Sequence, residues 1–391
     1  MSTVEPTLRV EPRARGRLLE RVATSILERA LAHLEGGTLE IELPDGSLRR
    51  FGAGPPVRLS IHDRRFFRRL ATRGKLGLGE SYTAGEWSSD DLPALFELLL
   101  RNAEAAAARH ARVRRLLEAR PRMNRRNGLV RARRNIAYHY DLGNELFAAM
   151  LDETMTYSCA VFERPDEALE EAQLRKLRLV CEKLRLGPGD HVLEIGCGWG
   201  SFARVAAAEY GARVTGITIS REQAVLARDR TAGLPVEIRE QDYREVEGRF
   251  SKVASIEMLE AIGERQFGAF FATIDRALEP GGLACVQTIL FPGSRWERYR
   301  KTPDWIERYV FPGCLIPSLG ALVRSFGRLE LRALEEIGPH YAETLRRWRA
   351  RFYAAGPHDE RFARTWDFYL AFSEAAFRTG ALRDAQLVLG R

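Results

Sequence analysis

Residues 192–201 read VLEIGCGWGS, an apolar run that closes on the carboxylate of Glu194 and then carries glycine at three alternate positions, Gly196, Gly198 and Gly200. Glycine lets a backbone turn sharply and approach a ligand closely. A strand that ends in such a loop and gives way at once to a helix therefore predicts a nucleotide or nucleoside site. The spacing narrows the choice. Dinucleotide folds use G-x-G-x-x-G, and a P-loop adds a Lys and a Ser/Thr for phosphate. Here the pattern is G-x-G-x-G behind Glu194.

Outward from this stretch, helical and strand patterns alternate. Helices are predicted over 168–185, 201–210, 220–231 and 264–278, and strands over 190–195, 213–218, 235–240, 251–259 and 281–290. Such alternation predicts an α/β fold with a parallel, doubly wound, Rossmann-like sheet and ligands at the carboxyl ends of its strands. The rhythm stops after residue 290 at FPGSRWERYRKTPDWIERYVFPG, which reads as a cap inserted over about 290–325. Upstream, an amphipathic helix over 17–34, a hairpin around Pro44-Asp45-Gly46-Ser47 and a helix over 91–101 make a small α+β unit, residues 1–105. An arginine-rich linker, 106–135, then leads into a catalytic domain, 136–391.

At 391 residues the chain has room for about two average domains. No window approaches the roughly 18 consecutive apolar residues of a membrane span. The N-terminus has basic residues without an apolar segment behind them, so a cytoplasmic protein is expected. Five cysteines stand at irregular spacings, with no C-x-x-C and no H-E-x-x-H, so neither a disulfide framework nor a zinc site is expected. The net charge of +8 is concentrated: residues 109–134 hold eleven arginines against one carboxylate, Glu118. Such a block suits a polyanionic neighbour, an anionic membrane surface or nucleic acid, although a solvated helix and linker would look the same.

The E-x-G-x-G-x-G arrangement resembles motif I of class I S-adenosylmethionine-dependent methyltransferases, in which the loop cradles the methionine part of the cofactor. QDYRE (241–245) places Asp242, followed by Tyr243, beyond the third strand, where such enzymes commonly meet the adenine amino group. The acid usual at the end of the second strand, which binds the ribose hydroxyls, is missing; GITIS (216–220) offers Thr218 instead, with Gln223 in the helix that follows.

VTGITIS with Gln223, HYDLGNELFAAMLDETMTYSCAVF (139–162), VLEIGCGWGSFA and YVFPGCLIPS (309–318) together resemble the cyclopropane fatty acid synthase family, which includes the mycolic acid cyclopropane synthases and related lipid methyltransferases. KLGLGESYTAGEWSSDDLPALF in the N-terminal unit is similar to the accessory domain of the long bacterial members. The resemblance implies transfer of a methyl(ene) group from S-adenosylmethionine to the cis double bond of acyl chains in membrane phospholipid. The carbocation so formed would be deprotonated by a bound bicarbonate ion to close a cyclopropane ring. By motif match, the bicarbonate would be held by Cys159, Glu260, Tyr341 and the backbone of Ile289, with Gln287 where many members have histidine, while Tyr157 and Ser158 would touch the cofactor. Amino-methylating nucleic-acid enzymes usually carry N/D-P-P-Y/F after the fourth strand; this chain has SIEMLEAIG there, so nucleic acid is not expected as a partner.

Three departures from the family pattern bear on the product. Gln287 can hydrogen-bond an anion but cannot carry charge or shuttle a proton. Ala261 follows the glutamate in place of a histidine, and a cysteine long discussed as catalytic falls at Ser373. A cation whose base is weakened can lose its proton elsewhere or be reduced, giving methylene- or methyl-branched chains; a non-catalytic lipid-binding relative is a further alternative. His139 and Tyr140 are candidate cofactor contacts, and Trp296, Tyr299, Trp305 and Tyr309 are expected to wall an acyl tunnel. The arginine block would seat the enzyme peripherally on the inner face of the membrane, and a homodimer would suit two membrane contacts.

Overall fold

The computed structural model describes residues 25, 28–29, 31–109, 144–302, 304–356 and 358–391. Most of the arginine block, and with it His139 and Tyr140, lies outside them, as does most of the helix expected over 17–34. The chain forms two compact units: Met1–Arg120 with Asp359–Phe368, and Pro121–His358 with Tyr369–Arg391. Residues 359–368, read from sequence as part of the catalytic domain, thus group with the N-terminal unit.

In that unit, strands β1 (Gly37–Glu42), β2 (Leu48–Ala53), β3 (Pro56–Ile61) and β4 (Trp87–Ser89) form a sheet in the order β2-β1-β3-β4, with helices α1 (Arg65–Thr83) and α2 (Leu92–Arg109). The hairpin turns where Pro44-Asp45-Gly46-Ser47 predicts it: the Asp45 carboxylate accepts from the Ser47 N–H at 3.0 Å. Trp87 is fully buried at the centre, its indole N–H donating to Ser81 Oγ. Tyr82 donates its hydroxyl to Asp367, which ties residues 359–368 into this unit.

The second unit opens with α3 (Asn144–Met150) and α4 (Leu169–Leu184) and then runs β5 (His191–Ile195), α5 (Ser201–Tyr210), β6 (Arg213–Thr218), α6 (Arg221–Arg230), β7 (Val236–Glu240), β8 (Phe250–Ile256), α7 (Phe267–Ala277) and β9 (Leu278–Leu290). Three short helices follow, α8 (Gly293–Tyr299), α9 (Trp305–Tyr309) and α10 (Leu319–Val323), in the segment read as a cap. The chain closes with β10 (Glu330–Glu336), α11 (Gly338–Ala354), α12 (Glu360–Arg378) and β11 (Arg383–Gly390). The seven strands lie in the order β10-β11-β9-β8-β5-β6-β7.

Five strands, β5 to β9, are parallel as expected, but β11 is antiparallel to β9 and β10 to β11, so the sheet is mixed. From β5 the chain winds outward through β6 and β7, then returns to the other side of β5 for β8 and β9. The reversal leaves a crevice beyond the carboxyl ends of β5 and β8, where ligands of doubly wound sheets bind. The strands are apolar because both faces are covered: Val192, Leu193, Val214, Val253, Ala254, Ala284 and Cys285 are fully buried. The strand expected over 251–259 ends at Ile256, since Glu257 turns into the left-handed region at φ 49°.

Candidate active site

The loop that follows β5 turns as its glycines predict. Gly196 has φ 84°, and a Cβ there would sit 2.7 Å from Met258 Cγ, so the position admits no side chain. Gly200 at φ 86° opens α5. Glu194 at the end of β5 is 3% exposed, one of its oxygens has no partner, and burial pushes its carboxyl up to about 8 against a partial pull from Lys176. A buried carboxylate with an unpaired oxygen beside a glycine turn is fitted to a cationic ligand group.

Beyond β6, the Thr218 hydroxyl donates to Gln223 Oε1 at 2.8 Å and accepts from the Ser220 N–H. Because Thr218 holds the amide oxygen, the amide NH2 points away from that bond, offering donors where related folds offer an acid. Asp242 caps the short helix Tyr243–Glu245 and takes the Arg244 guanidinium on both oxygens at 2.8 Å. The Tyr243 hydroxyl is buried without a partner, and burial raises it to about 12. Glu194, Gly196, Gly198, Thr218, Gln223, Asp242 and Tyr243 all line one cavity of about 330 Å³.

The same cavity reaches a second group of residues. Glu257, at the carboxyl end of β8, accepts the Cys159 N–H at 2.8 Å and the Gln287 Nε2–H at 2.8 Å on Oε1, and the Tyr341 hydroxyl at 2.5 Å on Oε2. Three donors converge on it, an arrangement that serves a carboxylate ion, and the Asp384 carboxyl lies beside it, raised well above its ordinary value by burial and then by Glu257. Glu260, three residues on, accepts from Thr288 Oγ1 at 2.8 Å and from the Ile289 N–H at 2.5 Å. Burial and then the Glu257 charge push Glu260 up to about 7. Burial, then Asp384 and Glu257, raises the Cys159 thiol well above its ordinary value, so it stays a thiol. Burial, then Glu257, does the same to the Tyr341 hydroxyl.

A chain of side chains settles which way Gln287 faces. Lys183 can only donate, and it donates to Gln386 Oε1. The Gln386 NH2 therefore faces inward and donates to Gln287 Oε1 at 3.0 Å, leaving the Gln287 NH2 for Glu257 and, at 3.1 Å, for Asp384. Gln287 and Gln386 are cross-strand partners of β9 and β11. Lys176, fully buried, donates to Ser158 Oγ at 2.6 Å; burial lowers its pKa, while Glu257, Cys159 and Asp384 pull it back.

The residues expected to hold a bicarbonate ion are thus gathered together, but around carboxylates of the chain itself. Cys159 N–H, Gln287 and Tyr341 are bonded to Glu257, and the Ile289 N–H to Glu260. As it stands the site does not fit a further anion. Tyr157 lines the cavity with its hydroxyl 3.1 Å from that of Tyr369, and Ser158 lines it beside Lys176. Ser373 also lines it.

The apolar wall comes from other residues than expected: Ile306, Phe311, Ile316, Leu345, Phe377 and Leu382 face the cavity, whereas Trp296, Tyr299, Trp305 and Tyr309 are absent from its lining. Trp296, on α8 of the cap segment, is buried in the hydrophobic core with its indole N–H on Ile316 O, and Tyr299 stacks on Phe291 at 4.1 Å.

Sequence reasoning missed Glu257, Asp384, Gln386 and Lys176. Two of these carried a signal: Lys176 falls on the apolar stripe of α4 with Ala172, Val180 and Leu184, and Glu257 interrupts an apolar strand end. Among the described residues no cluster of His, Cys, Asp and Glu is built to hold a metal ion, and no helix is long and apolar enough to cross a membrane.

The strand order, the glycine turn and a cavity that joins it to a polar centre and an apolar wall define a class I S-adenosylmethionine-dependent methyltransferase. Residues 128–387 match the family model described as mycolic acid cyclopropane synthetase, and the chain belongs to that family. It is 41% identical over 394 residues to the tuberculostearic acid methyltransferase UfaA1 of Mycobacterium tuberculosis, covering 95% of this chain and 91% of that one. It is 38% identical to the cyclopropane-fatty-acyl-phospholipid synthase of Escherichia coli, with 86% and 88% covered. The solved structures it is similar to include the mycolic acid cyclopropane synthase CmaA1 complexed with SAH and CTAB, at a TM-score of 0.60 and 28% identity, spanning 66% of this chain and 98% of that one. The cyclopropane synthase MmaA2 of Mycobacterium tuberculosis superposes similarly, with a TM-score of 0.61. The protein is an S-adenosylmethionine-dependent lipid methyltransferase.

Proposed function

We propose that this enzyme adds one carbon from S-adenosylmethionine across the cis double bond of an unsaturated fatty acyl chain carried by a membrane phospholipid. The observation that carries this reading is the single cavity running from Glu194 and the glycine loop to Glu257 and Tyr341, with an apolar wall from Phe311, Leu345 and Phe377. Bound cofactor supplies an electrophilic methyl group. Glu194 would hold its cationic end, Gln223 and Thr218 the ribose hydroxyls, and Asp242 with Tyr243 the base. An alkene is a weak nucleophile and its product cation is destroyed by water, so the protein's task is to align the chain, exclude water and remove one proton. The apolar wall does the first two, and the polar centre the third.

Ring closure gives a cyclopropane chain. A hydride shift onto the cationic carbon followed by proton loss from the added methyl group gives a methylene branch instead, and the neutral Gln287 beside Glu257 makes this a competing product. The eleven arginines of 109–134 would bring the enzyme to anionic bilayers, each contributing roughly 1 kcal/mol near the surface. The test is incubation with labelled S-adenosylmethionine and vesicles of cis-monounsaturated anionic phospholipid, followed by mass spectrometry and proton NMR of the acyl chains. High-field ring protons identify cyclopropane, and vinylidene protons a methylene branch. Absence of label in the lipid refutes the phospholipid substrate.

A further inference from the structure

We propose that the Glu257 carboxylate is the resident base of this enzyme, standing where the family resemblance puts a bicarbonate ion, so that turnover requires no bicarbonate. The inference rests on the proposed alkene methylation, and three observations support it independently of the product.

The first is occupancy. Of the groups expected to hold bicarbonate, the Cys159 N–H, Gln287 and the Tyr341 hydroxyl all bond to Glu257 at 2.5–2.8 Å. The fourth donor, the Ile289 N–H, is taken by Glu260 at 2.5 Å. A carboxylate and a bicarbonate ion present the same planar pair of oxygens to these donors, so one replaces the other without rebuilding the site. The second is charge. Three carboxyl groups, Glu257, Glu260 and Asp384, share this desolvated centre with Lys176 as the nearby cation, and burial and then the Glu257 charge already push Glu260 and Asp384 up; a further anion would add to that repulsion.

The third is backbone strain. Glu257 holds φ at 49°, a left-handed conformation that non-glycine residues rarely adopt. The strain turns the chain out of β8 and aims the carboxylate into the cavity it lines. Gln287 fits this role better than a histidine would. Its amide is locked by Gln386 and cannot take up a proton, so residue 287 does not compete with Glu257 for the proton removed from substrate.

The step balances without any redox partner. Once one alkene carbon has gained the methyl group, its neighbour is a cation. A C–H bond gives its electron pair to form the third ring bond, or, after a hydride shift, an exocyclic double bond, and the proton passes to a Glu257 oxygen and later to water. Either product is the starting chain plus CH2. A saturated methyl branch would need a hydride donor, so it requires a separate reductase acting on the methylene product.

Turnover and binding measurements on the whole 391-residue chain test the inference. In carbon-dioxide-free buffer, methyl transfer by the wild type should match that with added bicarbonate within about twofold. Glu257→Gln, which keeps shape but cannot take the proton, should lose about 100-fold or more while retaining affinity for S-adenosylhomocysteine. Glu257→Gly should regain turnover as bicarbonate is added. Independently of turnover, 13C NMR of labelled bicarbonate should show binding to Glu257→Gly and none to the wild type. Wild-type activity that collapses on depletion and returns with bicarbonate, wild-type bicarbonate binding at this centre, or full turnover by Glu257→Gln would each overturn the inference. If the wild type methylates no unsaturated chain, the proposed function fails instead, and the binding comparison still decides whether Glu257 fills the anion site.

Discussion

Cofactor affinity should rise steeply with pH, and Glu194 is the reason. Its carboxyl is fully desolvated, one oxygen is unpaired, and it titrates at about 8. S-adenosylhomocysteine brings an ammonium group that pairs with the ionised form alone. With a pKa of about 8, roughly 1% of Glu194 is ionised at pH 6 and roughly 24% at pH 7.5. The dissociation constant should therefore fall by about 20-fold over that interval, equivalent to roughly 1.8 kcal/mol. Titration calorimetry at pH 7 in two buffers of different ionisation enthalpy should show release of about 0.9 proton per site. Glu194→Gln should bind more weakly and lose the pH dependence. A dissociation constant that is flat between pH 6 and 7.5, with no proton released, would refute the assignment. The sign for the cofactor-free protein is opposite. A carboxyl at about 8 in the fold and 4.5 when unfolded leaves the folded state holding a proton that the unfolded chain has released. Its contribution to stability is full below about 4.5 and is lost as pH rises toward 8.

Three substitutions probe the rest of the site. Gly196→Ala places a methyl 2.7 Å from Met258 Cγ at φ 84° and should lower stability by at least about 1–2 kcal/mol, read as a fall in thermal midpoint, and weaken S-adenosylhomocysteine binding in calorimetry. Trp348→Ala removes a fully buried indole packed on Tyr157 at 5.0 Å and Tyr341 at 6.0 Å; denaturant unfolding should show a loss of about 3–5 kcal/mol. Ser373→Cys restores the thiol at a position lining the cavity, and steady-state methyl transfer should change by less than about threefold, because proton removal is the work of other residues.

Much of the fold was legible in the alternation of patterns from residue 170 onward, because strands buried on both faces must be continuously apolar and the crossover helices must be amphipathic. The glycine loop, Thr218 with Gln223, and Asp242 were legible for a similar reason: each sits within a few residues of a strand end. β10 and β11 were not. They pair antiparallel at the sheet edge after a long helical stretch, where no alternation announces them.

The polar centre divides along the same line. Cys159, Glu260, Tyr341 and Gln287 could be named because each lies in a motif whose neighbours specify it. That Glu257 draws Cys159, Gln287 and Tyr341 to itself depends on a residue 98 positions away, one 30 away and one 84 away. The orientation of Gln287 depends on Gln386 and Lys183, on a strand and a helix that only the assembled sheet brings together. Local sequence set the elements and the cofactor turn, since these follow from periodicity and from glycine's missing side chain. Which carboxylate stands at the reacting centre was decided by tertiary structure, since hydrogen-bond partners in a buried site are a property of position in space.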